Sequence, residues 1–134
     1  MSFAIAHLHI PDDHIPDLPA LIRSVKEETA DRLAMSPDSV EVFPHRYAAP
    51  SHRHGSSFKI TVIVEASLTQ SQLDRKPTLT KTLAFAIASR NKDWLAIMVA
   101  KAPKNVILVR IDNKPEDSWA TADLPVVASD ADAA

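Results

Sequence analysis

Ala34-Met35-Ser36-Pro37-Asp38-Ser39-Val40 and Ala100-Lys101-Ala102-Pro103-Lys104-Asn105-Val106 both read A-x-x-P-x-x-V. Each stands directly before an apolar, β-branched run, and each follows an amphipathic stretch that itself follows an apolar strand. The chain is therefore an internal repeat of a strand-helix-strand unit. A strand, a helix of this length and a second strand form a right-handed crossover with parallel strands. Two such units predict an α/β (α+β) fold, a four-stranded mixed sheet with its helices on one face. At 134 residues the chain is one domain. It spans 1–119, with repeat one at 2–47 and repeat two at 57–119. The segment 120–134, rich in alanine and aspartate, is expected to be a loosely ordered tail.

Outward from the repeat, residues 3–10 alternate Phe3, Ile5 and His7 against Ala4, Ala6, Leu8 and Ile10, apolar enough on both sides for a buried strand. Pro16, Asp17 and Pro19 form a helix entry. Leu18, Leu21, Ile22, Val25, Thr29 and Leu33 then recur at three- and four-residue steps, which predicts a helix over 17–34. Val40-Glu41-Val42-Phe43 is the second strand. The polar stretch 44–57 reads as a surface loop, with room for a short strand at 45–48. Residues 58–66 form the strongest strand in the chain. Thr69-Gln70-Ser71 caps a helix carrying Leu79, Leu83, Ala86 and Ile87. A further helical piece carries Trp94, Leu95, Met98 and Val99, ahead of the strand at 107–111. The helix-free face of the sheet is expected to be apolar too, and to be covered by other copies of the chain.

The composition narrows the function. A net charge of −2 offers no basic field for nucleic acid or an anionic membrane. No apolar run approaches the ~20 residues of a membrane helix, and no signal peptide is readable. Without cysteine there is no thiol catalyst or thiolate metal site, and the expected location is cytoplasmic. The one glycine excludes a glycine-rich phosphate loop. No G-x-S-x-G elbow is present. His45, His52 and His54 are loosely spaced with no carboxylate or cysteine placed beside them, so no metal is expected. His7 and His9 project to one sheet face and read as packed or interfacial. No cofactor is expected.

The early strand gives the amino terminus a fixed place. A terminal amine has an unperturbed pKa of about 7.7–8.0 and can act as an acid or base. If Met1 is removed, that amine belongs to Ser2.

Two local stretches resemble the tautomerase superfamily. Leu21-Ile22-Arg23-Ser24-Val25-Lys26-Glu27-Glu28, followed by Pro37-Asp38-Ser39-Val40-Glu41-Val42, is similar to the first unit of 4-oxalocrotonate tautomerase. Residues 106–119, which include Asp112-Asn113-Lys114-Pro115-Glu116-Asp117-Ser118-Trp119, resemble the late strand and turn of malonate semialdehyde decarboxylase. The resemblance spans roughly 2–119 and implies a homotrimer of double β-α-β subunits. It also implies a catalytic amino-terminal proline, a position that Ser2 holds here. A serine lacks the ring that fixes the direction of a secondary amine. The implied activity on small 2-oxo or enol carboxylates is accordingly weak or absent.

In the implied site, Ser2 is the acid or base and Asp38 orients a water or proton. Lys59 and Arg53 hold the carboxylate, and Trp119 lines the pocket. The plain readings of the same residues are a turn aspartate, solvated charges and a packing residue. The alternative function is a non-enzymatic oligomer that binds a small anion or a protein partner.

Overall fold

The computed structural model describes residues 2–11, 15–47, 59–98 and 106–125. In chain order the elements are β1 (Ala4–Pro11), α1 (Leu18–Arg32), β2 (Val40–Tyr47), β3 (Ile60–Ala66), α2 (Gln70–Asp74), α3 (Lys76–Arg90), α4 (Lys92–Met98) and β4 (Ile107–Asn113). The sheet order is β2-β1-β3-β4. β1 and β2 run parallel, as do β3 and β4, while β1 and β3 are antiparallel. This is a mixed four-stranded sheet built from two β-α-β units, with the helices on one face. Most of the second copy of the A-x-x-P-x-x-V repeat, residues 100–105, lies outside the described residues.

Strand alternation divides the sheet into two unlike faces. Ala4, Ala6, Leu8 and Ile10 of β1 and Ile60, Val62, Val64 and Ala66 of β3 are all fully buried under the helices. Leu21 and Val25 of α1 and Leu83 and Ile87 of α3 pack against them in one core. The opposite face departs from the apolar surface expected above. Ile5 and Ile63 are there, but the same alternation places His7, His9, Glu65, Arg110 and Asp112 beside them. Val40, Ala4 and Ala66 share one register row, so the rows on the open face follow directly: Glu41, Ile5, Glu65 and Asp112; then Phe43, His7, Ile63 and Arg110; then His45, His9, Thr61 and Leu108.

β2 is longer than the sequence pattern suggests, running through Pro44 to Tyr47. Proline removes a ladder donor, which an edge strand tolerates on its outer side. β2 is such an edge. Residues 45–47, where the sequence left room for a short strand, therefore belong to the sheet as a continuation of β2. The expected second-unit helix is interrupted after Asp74, with Arg75 between α2 and α3 and Pro77 in the first turn of α3.

Side-chain hydrogen bonds join the two units. Thr69 and Gln72 form a reciprocal capping box on α2. Gln72 Nε2 also donates to the carbonyl of Leu33 at 2.9 Å, closing a free carbonyl at the end of α1. Buried Asn91 donates to Ser24 Oγ at 3.0 Å and to the Ile87 carbonyl at 2.7 Å, and accepts from Trp94 Nε1 at 3.0 Å. Each of these buried amides is satisfied, as a packed interior requires.

α1 ends in a left-handed turn at Ala34, with φ of 54°. Met35 N–H donates to the Ala30 carbonyl at 3.0 Å and Ala34 N–H to the Asp31 carbonyl at 3.3 Å. That is a Schellman closure, in which the left-handed position usually carries glycine. A Cβ in this conformation costs about 1–2 kcal/mol. Ala34→Gly is thus expected to raise stability by about 1 kcal/mol, read as a higher denaturation midpoint with an unchanged slope. A lower midpoint would show that the greater freedom of glycine in the unfolded chain outweighs the relieved strain.

Candidate functional site

The amino-terminal end of β1 meets the carboxyl-terminal ends of β3 and β4, because β3 runs against β1. Ala4 is level with Ala66, and Ala66 with Asn113. One row further out, Phe3, Ser67 and Lys114 are level, on the open-face side of the sheet. Lys114 N–H donates to the Ala66 carbonyl at 2.8 Å, and the Lys114 carbonyl accepts from Ser67 Oγ at 2.5 Å and from Trp119 Nε1 at 3.3 Å. A single 3-10 turn at Glu116–Ser118 then brings Trp119 back over the terminus. Its ring meets that of Phe3 edge-on, with centroids 4.5 Å apart and planes at 74°.

These groups border a half-open cavity of about 160 Å³ lined by Phe3, Ser67, Glu116, Trp119, Ala120 and Thr121. It is large enough for a molecule of benzene size. Its walls combine two aromatic rings, two hydroxyls and one carboxylate. Ala120 and Thr121, placed in the tail by sequence, have no helix or strand but form part of this lining. A wider hollow of about 670 Å³ runs along β4 beside α3. Lys76 and Lys81 are its charged lining residues, with no carboxylate or histidine among the lining.

Among the sequence-derived candidates, Trp119 lines the cavity and Ser2 precedes Phe3 at its edge. Asp38 lies in the 3-10 turn before β2, exposed, with its N–H donating to Ser36 Oγ at 3.3 Å. The strand register begins at Ala4 and Val40, and Asp38 precedes it in the turn, at the same end of the sheet as Ser2. Lys59 lies elsewhere. It precedes β3, where Thr61 pairs with His9, and so falls beyond that row, more than seven strand positions from Ser2. That is over roughly 20 Å at the usual rise of a strand. Arg53 lies outside the described residues.

The cation on the Ser2 end of the sheet is Lys114, which sequence reasoning passed over. Its Nζ stands 3.7 Å from Glu65 Oε2. It lies within the late-strand stretch that carried the family resemblance, so the signal was present. Ser67 and Glu116 were also missed, because small polar and acidic residues in turns carry no distinctive pattern.

A second polar group occupies the open sheet face further along β1. His7 Nε2 stands 2.9 Å from Glu65 Oε1, and His7 Nδ1 stands 3.2 Å from His45 Nε2. The His45 ring stacks on His7 with centroids 5.4 Å apart and on His9 at 4.9 Å. Burial holds the His9 pKa below its usual value, with repulsion from His45 and His7 adding to the effect. Among the described residues, no group of three or more histidine, cysteine, aspartate or glutamate side chains could hold a metal ion.

No family model matches the chain, and no curated protein matches it. Solved structures do. A fused 4-OT symmetric trimer superposes with a TM-score of 0.60 at 18% identity, covering 89% of this chain and 92% of that one. A malonate semialdehyde decarboxylase gives 0.59 at 10% identity, covering 89% and 91%. A macrophage migration inhibitory factor from Toxoplasma gondii gives 0.54 at 20% identity, covering 90% and 97%. These are tautomerase-superfamily structures, and over nearly its whole length this chain has their fold.

Proposed function

We propose that the chain is a tautomerase-superfamily protein, assembled as a homotrimer, that receives a small 2-oxo or enol carboxylate in the cavity beside Ser2. Its turnover is weak or absent because serine stands where the family's chemistry needs proline. One observation carries the reading: the cavity lined by the touching Phe3 and Trp119 rings lies at the point where the chain's first strand begins. The rings would take the apolar body of such a ligand. With Met1 removed, the Ser2 amine would exchange a proton with it. Asp38, in the turn that leads into β2 beside β1, would orient a water. Lys114 would supply a point charge for the carboxylate from within the same chain. Lys59 and Arg53 remain candidates for that role. Lys59 would reach this cavity only from a neighbouring subunit, since its own Ser2 is at the other end of the strands.

The rival reading is a non-enzymatic trimer that binds a small anion or a protein partner. It draws support from Ser2 and from Glu116, whose carboxylate in the lining repels an anionic substrate.

The test begins with intact mass, which must show Ser2 as the first residue, and light scattering, which must show three copies. Phenylpyruvate or 2-hydroxymuconate is then titrated while the Trp119 indole N–H is followed by NMR. The reading predicts saturable shifts at Trp119 with slow or undetectable tautomerisation. Retained Met1, or a Trp119 signal unmoved by either carboxylate, overturns it.

A further inference from the structure

We propose that protonation of the stacked histidines His7, His45 and His9 opens the trimer into single subunits, so that assembly holds near neutral pH and is lost as the solution turns acidic. The inference rests on the homotrimer proposed above, with the open sheet face turned towards the other copies.

The geometry of the stack limits how many protons it can take. His7 Nδ1 and His45 Nε2 are 3.2 Å apart, a hydrogen bond that needs a proton on one nitrogen and a lone pair on the other. One positive charge on the pair keeps that bond. A second sets N–H against N–H across the same gap, which breaks it and leaves two cations ring to ring at 5.4 Å. His9 stacks on the same His45 ring at 4.9 Å. Among the described residues, the carboxylate that touches the stack is Glu65, 2.9 Å from His7 Nε2, and Lys114 at 3.7 Å already shares it.

The rest of the face cannot absorb the added charge. Strand alternation places Glu41, Glu65 and Asp112 there with Arg110, and Lys59 and Lys114 continue the face at the strand ends. Three acids thus offset three bases while the histidines are neutral. Tyr47 donates its hydroxyl to the Lys59 carbonyl and adds no charge. Phe43, 45% exposed, lies 6.2 Å from the His7 ring and shares the face with Ile5 and Ile63. Such a surface can be covered by another copy only while the stack is uncharged. A closed trimer repeats the stack three times, so every added charge is tripled.

The direction follows from His9. Burial lowers its pKa from the usual 6.5, with repulsion from His45 and His7 adding to the effect. A base whose pKa is lowered stabilises the packed state fully above its ordinary value, and that stabilisation is lost as pH falls below it. Subunits that leave the trimer take up the withheld protons. The dissociation constant therefore rises about tenfold per pH unit for each proton taken up.

The test measures mass by light scattering from about pH 8 to about pH 5 at fixed ionic strength, a range that spans histidine titration. Circular dichroism at each point shows whether the subunit stays folded. Three copies at the upper end and one folded copy at the lower end are expected. The ring C–H signals of His9 and His45, followed by NMR, should titrate together with the loss of mass. His9→Gln combined with His45→Gln replaces both rings by neutral amides and should hold three copies down to the lower pH. His52→Gln combined with His54→Gln should dissociate as the wild type does. Three copies at both ends overturn this proposal and leave the trimer standing. A single copy at the upper end removes the trimer, and this proposal with it. Acid dissociation unchanged in the His9/His45 variant, or histidine signals that titrate apart from the mass, also overturns it.

Discussion

Ser2→Pro is expected to raise the rate of phenylpyruvate or 2-hydroxymuconate tautomerisation by about 10²-fold or more. A positioned general acid or base contributes about 10²–10⁴-fold, and the proposed defect is one of position. The Ser2 amine can rotate about its own backbone bonds, whereas a proline ring fixes where the nitrogen points. The substitution also leaves the sheet ladder intact, because β1 begins at Ala4. Proline at an early strand position forfeits nothing there. Adding Asp38→Ala to the proline variant should remove part of the gain if that carboxylate orients a proton in transit. A proline variant that is trimeric, starts at residue 2 by mass and still turns over at the wild-type rate would show that the cavity lacks more than its terminal residue. The non-enzymatic reading would then stand.

The order of strands and helices was readable because it rests on periodicity and on a repeated turn. The run from Ile60 to Ala66 alternates cleanly, and the Leu21, Val25 and Thr29 spacing marks the buried side of α1. Strand ends were less readable. Pro44 argued for a loop, and only the edge position of β2 makes it acceptable in a strand. That one misreading concealed the His7–His45 pair.

Lys59 shows a different difficulty. The resemblance attached a role to the beginning of the third strand, but β3 is antiparallel to β1. Its beginning is therefore level with the end of β1, not with Ser2. Direction within a sheet depends on how the two units pack together, which neither unit's local pattern encodes. Trp119 was found because the stretch 106–119 that ends on it carried the family resemblance. Phe3, whose ring touches that of Trp119, looked like any strand residue.

The two faces of the sheet should respond to substitution in opposite ways, and this gives the second large effect. Leu8 is fully buried at the middle of β1, level with Pro44 on one side and Val62 on the other. Leu8→Ala removes side-chain volume that rigid neighbours on both strands cannot refill, at an expected cost of about 2–5 kcal/mol. Against a total stability of about 5–15 kcal/mol, such a loss threatens the fold itself. Ile63 is on the other face, level with His7 and Arg110. Ile63→Glu places a carboxylate between two basic groups, so the isolated subunit should tolerate it. If the open face is where copies of the chain meet, the same carboxylate becomes a buried charge at the interface, and burial without a full set of partners is costly. The expected result is a subunit with a near-native circular dichroism spectrum and a mass falling from three copies to one. Leu8→Ala should instead shift the denaturation midpoint at every protein concentration. An Ile63→Glu variant that stays trimeric would remove the open face as the assembly surface and leave the edges β2 and β4 as the places where subunits could join.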